Sequence, residues 1–150
     1  MFAPRPSIVV KELARVLKPG GILAFSTWPK ELFMGKFFKL IESFSQPLPP
    51  EVASPVLWGD MAVIEDRLRD HFDHIEFARD TMFAPTMSPA HMLKLFEKNA
   101  GPLANLVKAL ADDPTKLSNL RNAALVLIEK FFSNNFLRQD FLMTRCVKKT

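Results

Sequence analysis

VVKELARVLKPGGILAFSTW, residues Val9 to Trp28, is the stretch on which the reading of this chain turns. In its first half Val9, Leu13, Val16 and Leu17 recur at i, i+4, i+7 and i+8, the spacing of one face of an α-helix. Lys11, Glu12 and Arg15 occupy the other face. Pro19 disfavours helical geometry at Lys18, and Gly20 and Gly21 permit the backbone of a tight turn. Ile22 to Trp28 then runs mostly apolar on both faces. That pattern predicts a strand buried from both sides, as in a parallel sheet covered by helices. A helix feeding directly into a strand is half of an alternating α/β layer.

The rest of the chain supplies material for one domain by length. Its 150 residues can bury a sizeable core, and 48% hydrophobic with 24% charged residues is the balance of a folded globular protein rather than a disordered one. Fourteen Phe, two Trp and no Tyr exclude tyrosine chemistry. The net charge of +4 is spread along the chain with no block beyond Lys148-Lys149, which argues against a nucleic-acid partner. The single cysteine, Cys146, has no internal partner for a disulfide, which suits a reducing cytoplasm. No run approaches the ~18 apolar residues of a membrane span, and the opening MFAPRPS lacks the apolar core of a signal peptide.

Outward from the opening stretch, Ser7 is placed to cap the first helix and Pro29 ends the strand. Phe33, Phe37, Leu40, Ile41 and Phe44 predict a helix over 31–44, slightly weakened by Gly35. Ser45 to Pro55, with Pro47, Pro49, Pro50 and Pro55, predicts an extended loop. Asp60 can cap a helix from Met61 to Phe72 with Met61, Ile64, Leu68 and Phe72 inward and a Glu65–Arg69 pair outside. His74 to Ala84 alternates, with Ile75, Phe77, Thr81 and Phe83 on one side. Ser88-Pro89 and Asp113-Pro114 each start a helix by cap and proline, and a third helix starts at Pro102 after Gly101 closes its predecessor. The last helix frays near Ser133-Asn134-Asn135. Gln139 to Lys148 predicts an interior strand, with Phe141, Met143 and Val147 on one face and Leu142, Thr144 and Cys146 on the other.

Chemistry-bearing groups are sparse. His71, Asp73 and His74 cluster at a helix end but fall short of a metal-ligand set, and no metal is expected. His91 sits alone in a first turn, where a surface histidine is the plainer reading than a base. Asp112-Asp113 is explained by helix capping charge. No G-x-S-x-G elbow is present, and Cys146 falls within an apolar strand.

The helix, R-V-L-K-P-G-G and strand of the opening stretch resemble the late part of class I S-adenosylmethionine-dependent methyltransferases, where they link the helix after the fourth strand to the fifth strand. MFAP at the start, SPVLWG at Ser54 to Gly59 and the two C-terminal strand runs agree with that order, so the resemblance covers nearly the whole chain. It implies an α/β fold, partial and Rossmann-like: the C-terminal strands of the sheet plus a helical cap. Family order would place Gln139 to Lys148 between Gly21 to Trp28 and His74 to Ala84. The resemblance also implies a small-molecule methyltransferase and S-adenosylmethionine as its cofactor.

In that family the cofactor is held mainly by the first half of the fold, through a glycine-rich loop and an acid that binds the ribose. The five glycines here, Gly20, Gly21, Gly35, Gly59 and Gly101, form no GxGxG, so the chain starts where the cofactor-binding half would end. The chain alone is therefore expected neither to bind the cofactor nor to catalyse. It is a methyltransferase-derived polypeptide, one half of a split enzyme, or an interaction or small apolar-ligand-binding module. Trp28, Trp58, Phe2 and Phe33 are the candidates for a substrate pocket, and both tryptophans can equally be core. The open edge of Gly21 to Trp28 predicts a homodimer through the Val9 to Trp28 unit, or a missing N-terminal half in its place.

Overall fold

The computed structural model describes residues 1–49 and 52–150; Pro50 of the proline-rich loop lies outside them. Helix α1 spans Pro6–Val16, and strand β1 spans Ile22–Thr27. Helix α2 is Phe33–Phe44, followed by a 3-10 turn at Pro55–Gly59 and helix α3 at Met61–Leu68. Strand β2 is Phe72–Pro85. Helices α4 (Pro89–Asn99), α5 (Gly101–Ala109) and α6 (Pro114–Glu129) lead to the short strand β3 (Phe132–Ser133) and to β4 (Phe136–Lys148). The sheet order is β1-β4-β2, with β3 paired to β4. The pairings β1–β4 and β3–β4 are antiparallel. The architecture is α/β with an open sheet.

Contacts group these elements into two compact units. Unit 1 is Met1–Lys30, Leu48–Asp80 and Asp140–Thr150, and unit 2 is Glu31–Pro47 and Thr81–Gln139. Strands β2 and β4 contribute residues to both.

Unit 1 is built on the opening stretch. Gly20, at φ 74°, turns the chain after α1, and the Gly21 N–H donates to the Lys18 carbonyl at 2.8 Å. The Lys148 side chain reaches back to donate to the Leu17 carbonyl, satisfying an orphan acceptor at the helix end. The register sets Leu23 opposite Cys146, Phe25 opposite Thr144 and Thr27 opposite Leu142. On that face Leu142, Thr144 and Cys146 are buried, and Leu142 and Cys146 share one core cluster with Val10, Ala14, Ile64, Leu68 and Phe72. Burial pushes the Cys146 thiol up to about 11.

Several sequence expectations are corrected in unit 1. The strand after the turn is not buried from both sides in a parallel sheet. It pairs antiparallel with β4, has no strand on its other edge among the described residues, and exposes alternate residues, with Ile22 54% accessible. Pro6, not Ser7, opens α1, and no side chain caps it. The helix buries Val10 and Ala14 while Val16 points into solvent, one position away from the predicted stripe. Helix α3 stops at Leu68, so Phe72 enters the core from β2, and Met61 is exposed. Arg69 pairs with Asp66 at 2.6 Å rather than with Glu65.

Unit 2 is a helical cluster around phenylalanine. Helix α2 packs on α5 and α6, and α4 packs on both of those. Phe33, fully buried, lies 5.6 Å from Phe37, 6.2 Å from Phe96 and 5.5 Å from Phe131 between ring centroids. Ser88 and Asp113 cap their helices as expected, accepting from the His91 and Lys116 N–H groups. Gly101 opens α5 instead of closing α4. Phe83 stands on the exposed side of β2. The expected fray at Ser133 to Asn135 is a tight hairpin: Asn134 and Asn135 take φ 50° and 62°, and Ser133 pairs with Phe136.

Candidate functional site

The C-terminal end of β1 forms a polar corner of unit 1 with the 3-10 turn and the start of α3. Thr27 ends the strand with its side chain inside the sheet core, and Trp28 and Pro29 leave the sheet. Gly59 meets them from the 3-10 turn. A Cβ there would lie 1.9 Å from the Trp28 carbonyl oxygen, so only glycine allows this approach of two backbones. The Lys30 ammonium donates to the Asp60 carboxylate next door. The other Asp60 oxygen accepts from the Ala62 N–H at 3.1 Å and caps α3. The hydrogen bond from Lys30 is the main reason that the Asp60 carboxyl is held below the usual carboxylate range.

Trp58 lies beneath this corner. Its ring meets Phe25 edge-on at 5.8 Å, and the Arg67 guanidinium covers it at 4.7 Å from the centroid. Burial lowers the Arg67 pKa from the ordinary arginine value. Among the described residues, four buried side-chain atoms have no hydrogen-bond partner: Thr27 Oγ1, Trp58 Nε1, Arg67 Nη1 and Thr144 Oγ1. All four belong to unit 1. Thr144 faces Phe25 across the sheet, Phe25 touches Trp58, and Trp58 carries Arg67, so three of the four are linked through Phe25 and Trp58. Buried polar atoms are nearly always paired, which sets these four apart from the rest of the core.

The sequence-derived pocket residues fall in different settings. Trp58 is buried at 4% exposure, Trp28 is half-buried and Phe2 is 60% exposed, all within unit 1. Phe33 belongs to unit 2 and sits at the centre of its aromatic core. Sequence reasoning missed Arg67 and the Lys30–Asp60 tie. Arg67 follows Trp58 across a capped helix turn, and no local pattern announces that its guanidinium folds back over the indole. The Gly59 requirement was legible only as a glycine ending SPVLWG.

A second feature of unit 1 is the free edge of β1. Every second backbone amide and carbonyl of such an edge faces away from the sheet with nothing to bind. On the outer face, Ile22 lies opposite Val147 and Ser26 opposite Met143, and Ile22 and Met143 are exposed. Among the described residues, no three of His, Cys, Asp and Glu gather in a way that could hold a metal ion. Among the described residues no helix is long and apolar enough to cross a membrane.

No known family model matches the chain. Its similarity is to longer proteins. Uncharacterized protein Rv1403c of Mycobacterium tuberculosis is 27% identical over 144 residues, which is 95% of this chain and 53% of that protein. Uncharacterized protein Mb1438c of Mycobacterium bovis matches to the same extent. Uncharacterized protein Rv1405c of Mycobacterium tuberculosis is 23% identical over 150 residues, 99% of this chain and 55% of that protein. The chain thus spans about half the length of the curated relatives it matches.

Proposed function

We propose that this chain is the C-terminal portion of a class I S-adenosylmethionine-dependent methyltransferase-like fold of the small-molecule type, working in the cytoplasm, and that it neither binds the cofactor nor catalyses alone. The observation that carries this reading is the strand order β1-β4-β2, with β4 antiparallel to β1 and β1 fed by the helix and LKPGG turn. Relatives about twice as long support it, because they leave room for a cofactor-binding half.

The residues present do not fit the cofactor by themselves. Nothing stands within 4 Å of a Cβ added at Gly20 or Gly101, and the contacts of Gly21 and Gly59 are the turn itself and the Trp28–Pro29 backbone. Gly35 lies inside α2. None of these glycines makes a cradle where a backbone must approach a ligand. This chain's own contribution would be the acceptor side. Trp28, Phe2 and the donors of Trp58 and Arg67 would line or support that pocket, and the free β1 edge would receive the missing half. In the chain on its own a second copy takes that edge, through the Val9 to Trp28 unit, because a twofold contact lets one open edge cover its own copy. An interaction or small apolar-ligand-binding module derived from such an enzyme is the other reading, and it keeps the pocket without the chemistry.

The test is reconstitution. The chain is mixed with the remaining half of Rv1403c, and S-adenosylmethionine binding is followed by calorimetry. A one-to-one complex that binds the cofactor, from components that do not, is the expected result. Micromolar binding by the chain alone overturns the reading, and so does a complex that leaves the cofactor unbound.

A further inference from the structure

The loop between β2 and α4 holds a histidine whose ring is set by its neighbours. The Thr86 N–H donates to the Asn135 carbonyl at 2.9 Å, which ties this loop to the Asn134-Asn135 hairpin. Thr86 Oγ1 lies 3.0 Å from His91 Nδ1, and the Met87 N–H donates to the same nitrogen at 3.4 Å. A ring nitrogen that accepts from a backbone N–H carries no hydrogen of its own, so the neutral ring bears its proton on Nε2. Nε2 has no hydrogen-bond partner among the described residues. His91 is thus presented as a donor, with its acceptor nitrogen already used.

That ring lines a shallow cavity of about 430 Å³ together with Pro85, Thr86, Met87, Asn135 and Phe136. All of them lie in unit 2. The volume falls within the range of small-molecule sites, which are apolar with a few placed polar groups. Met87 is 73% exposed and Phe136 43%, and Phe83, 60% exposed, stands edge-on to Phe136 at 6.3 Å. Large apolar side chains gathered in water around one oriented donor are an incomplete contact. None of the six lining residues is Lys, Arg, Asp or Glu, so a charged ligand would lose its hydration without gaining a partner. An aromatic ring fits the edge of Phe136 and the thioether of Met87.

We infer that this cavity binds a small, flat, neutral aromatic molecule carrying a carbonyl oxygen. The His91 Nε2–H donates to that oxygen, and Met87 and Phe136 cover the ring. The site lies wholly within unit 2 and stands apart from the methyltransferase reading.

The full chain, with ¹³C-methyl methionine and ¹⁵N-histidine, is titrated with 2-acetylnaphthalene and, separately, with naphthalene. The ketone is expected to shift the Met87 methyl and His91 Nε2 signals and to bind at least tenfold more tightly than the hydrocarbon. Met87→Ala, a change at an exposed side chain, should weaken the ketone at least fivefold. His91→Phe should erase the difference between the two probes. No shift at Met87 up to a millimolar ketone overturns the site. Equal affinity for the two probes, or unchanged affinity in Met87→Ala, overturns it as well.

Discussion

Units 1 and 2 differ in how they treat their polar groups and edges. In unit 2 Ser88 and Asp113 cap α4 and α6, Arg121 pairs with Glu97 at 2.7 Å, and the core is a closed set of phenylalanine rings. Among the described residues, all four orphaned buried polar side-chain atoms lie in unit 1, and β1 has no strand on its outer edge. Helices satisfy their own backbones, so a helical unit can close on itself once its ends are capped. A sheet satisfies its backbone only through neighbours, and a strand at its edge keeps half of its capacity in reserve. Unit 1 therefore keeps unsatisfied polar groups and a strand edge, while unit 2 carries the His91 cavity among its surface depressions.

The largest expected effect lies in the closed core. Phe33→Ala removes the ring that touches three others and should cost about 3–5 kcal/mol of stability, read by denaturant unfolding. A loss below 1 kcal/mol would show that the aromatic core is looser than its packing. Gly59→Ala should come next, at about 1–3 kcal/mol or more, because its methyl would strike the Trp28 carbonyl. A neutral Gly59→Ala would mean that the corner beneath Trp28 yields freely.

The smaller effects separate the units more sharply. Thr144→Val replaces an orphaned hydroxyl with a methyl of the same shape, and stability should stay level or rise by about 1 kcal/mol. A loss of that size would mean that the hydroxyl already has a partner. Asp60→Asn keeps the cap and loses the charge that faces Lys30, so the change should stay under about 1 kcal/mol. Its pH dependence has a fixed sign. The folded carboxyl is depressed, so its contribution is full above the unfolded value of about 3.9 and is lost as pH falls through the lower folded value. Unfolding curves of the two proteins should therefore converge in acid. A gap that persists there would assign the effect to the cap and not to the charge.

Much of this was legible in the sequence where one local rule sufficed. The helix, LKPGG turn and strand came from apolar spacing and glycine, and Ser88-Pro89 and Asp113-Pro114 fixed two helix starts. The central place of β4 was readable because neither face of 139–148 is polar. Errors arose where tertiary contacts chose between near-equal options. Val10 and Ala14 displaced Val16 because a small residue lets the helix approach the sheet core. Phe72 looked like a helical stripe residue because 68 and 72 are also four apart, yet it begins β2. Asn134-Asn135 read as a fray although two asparagines between Phe132-Ser133 and Phe136-Leu137 carry a hairpin signal. The His91 arrangement depends on a hydrogen bond between the loop at 86 and residue 135, which no local pattern encodes.

Hydrogen exchange along β1, residues Ile22–Thr27, tests the central claim that unit 1 ends in an unfilled sheet edge. The isolated chain is measured at low and high concentration. The outward amides of β1 should exchange quickly when dilute and become protected as concentration rises and a second copy takes the edge, while the amides of β4 stay protected throughout. Full protection of β1 in a dilute monomer, or exchange that ignores concentration, would contradict it.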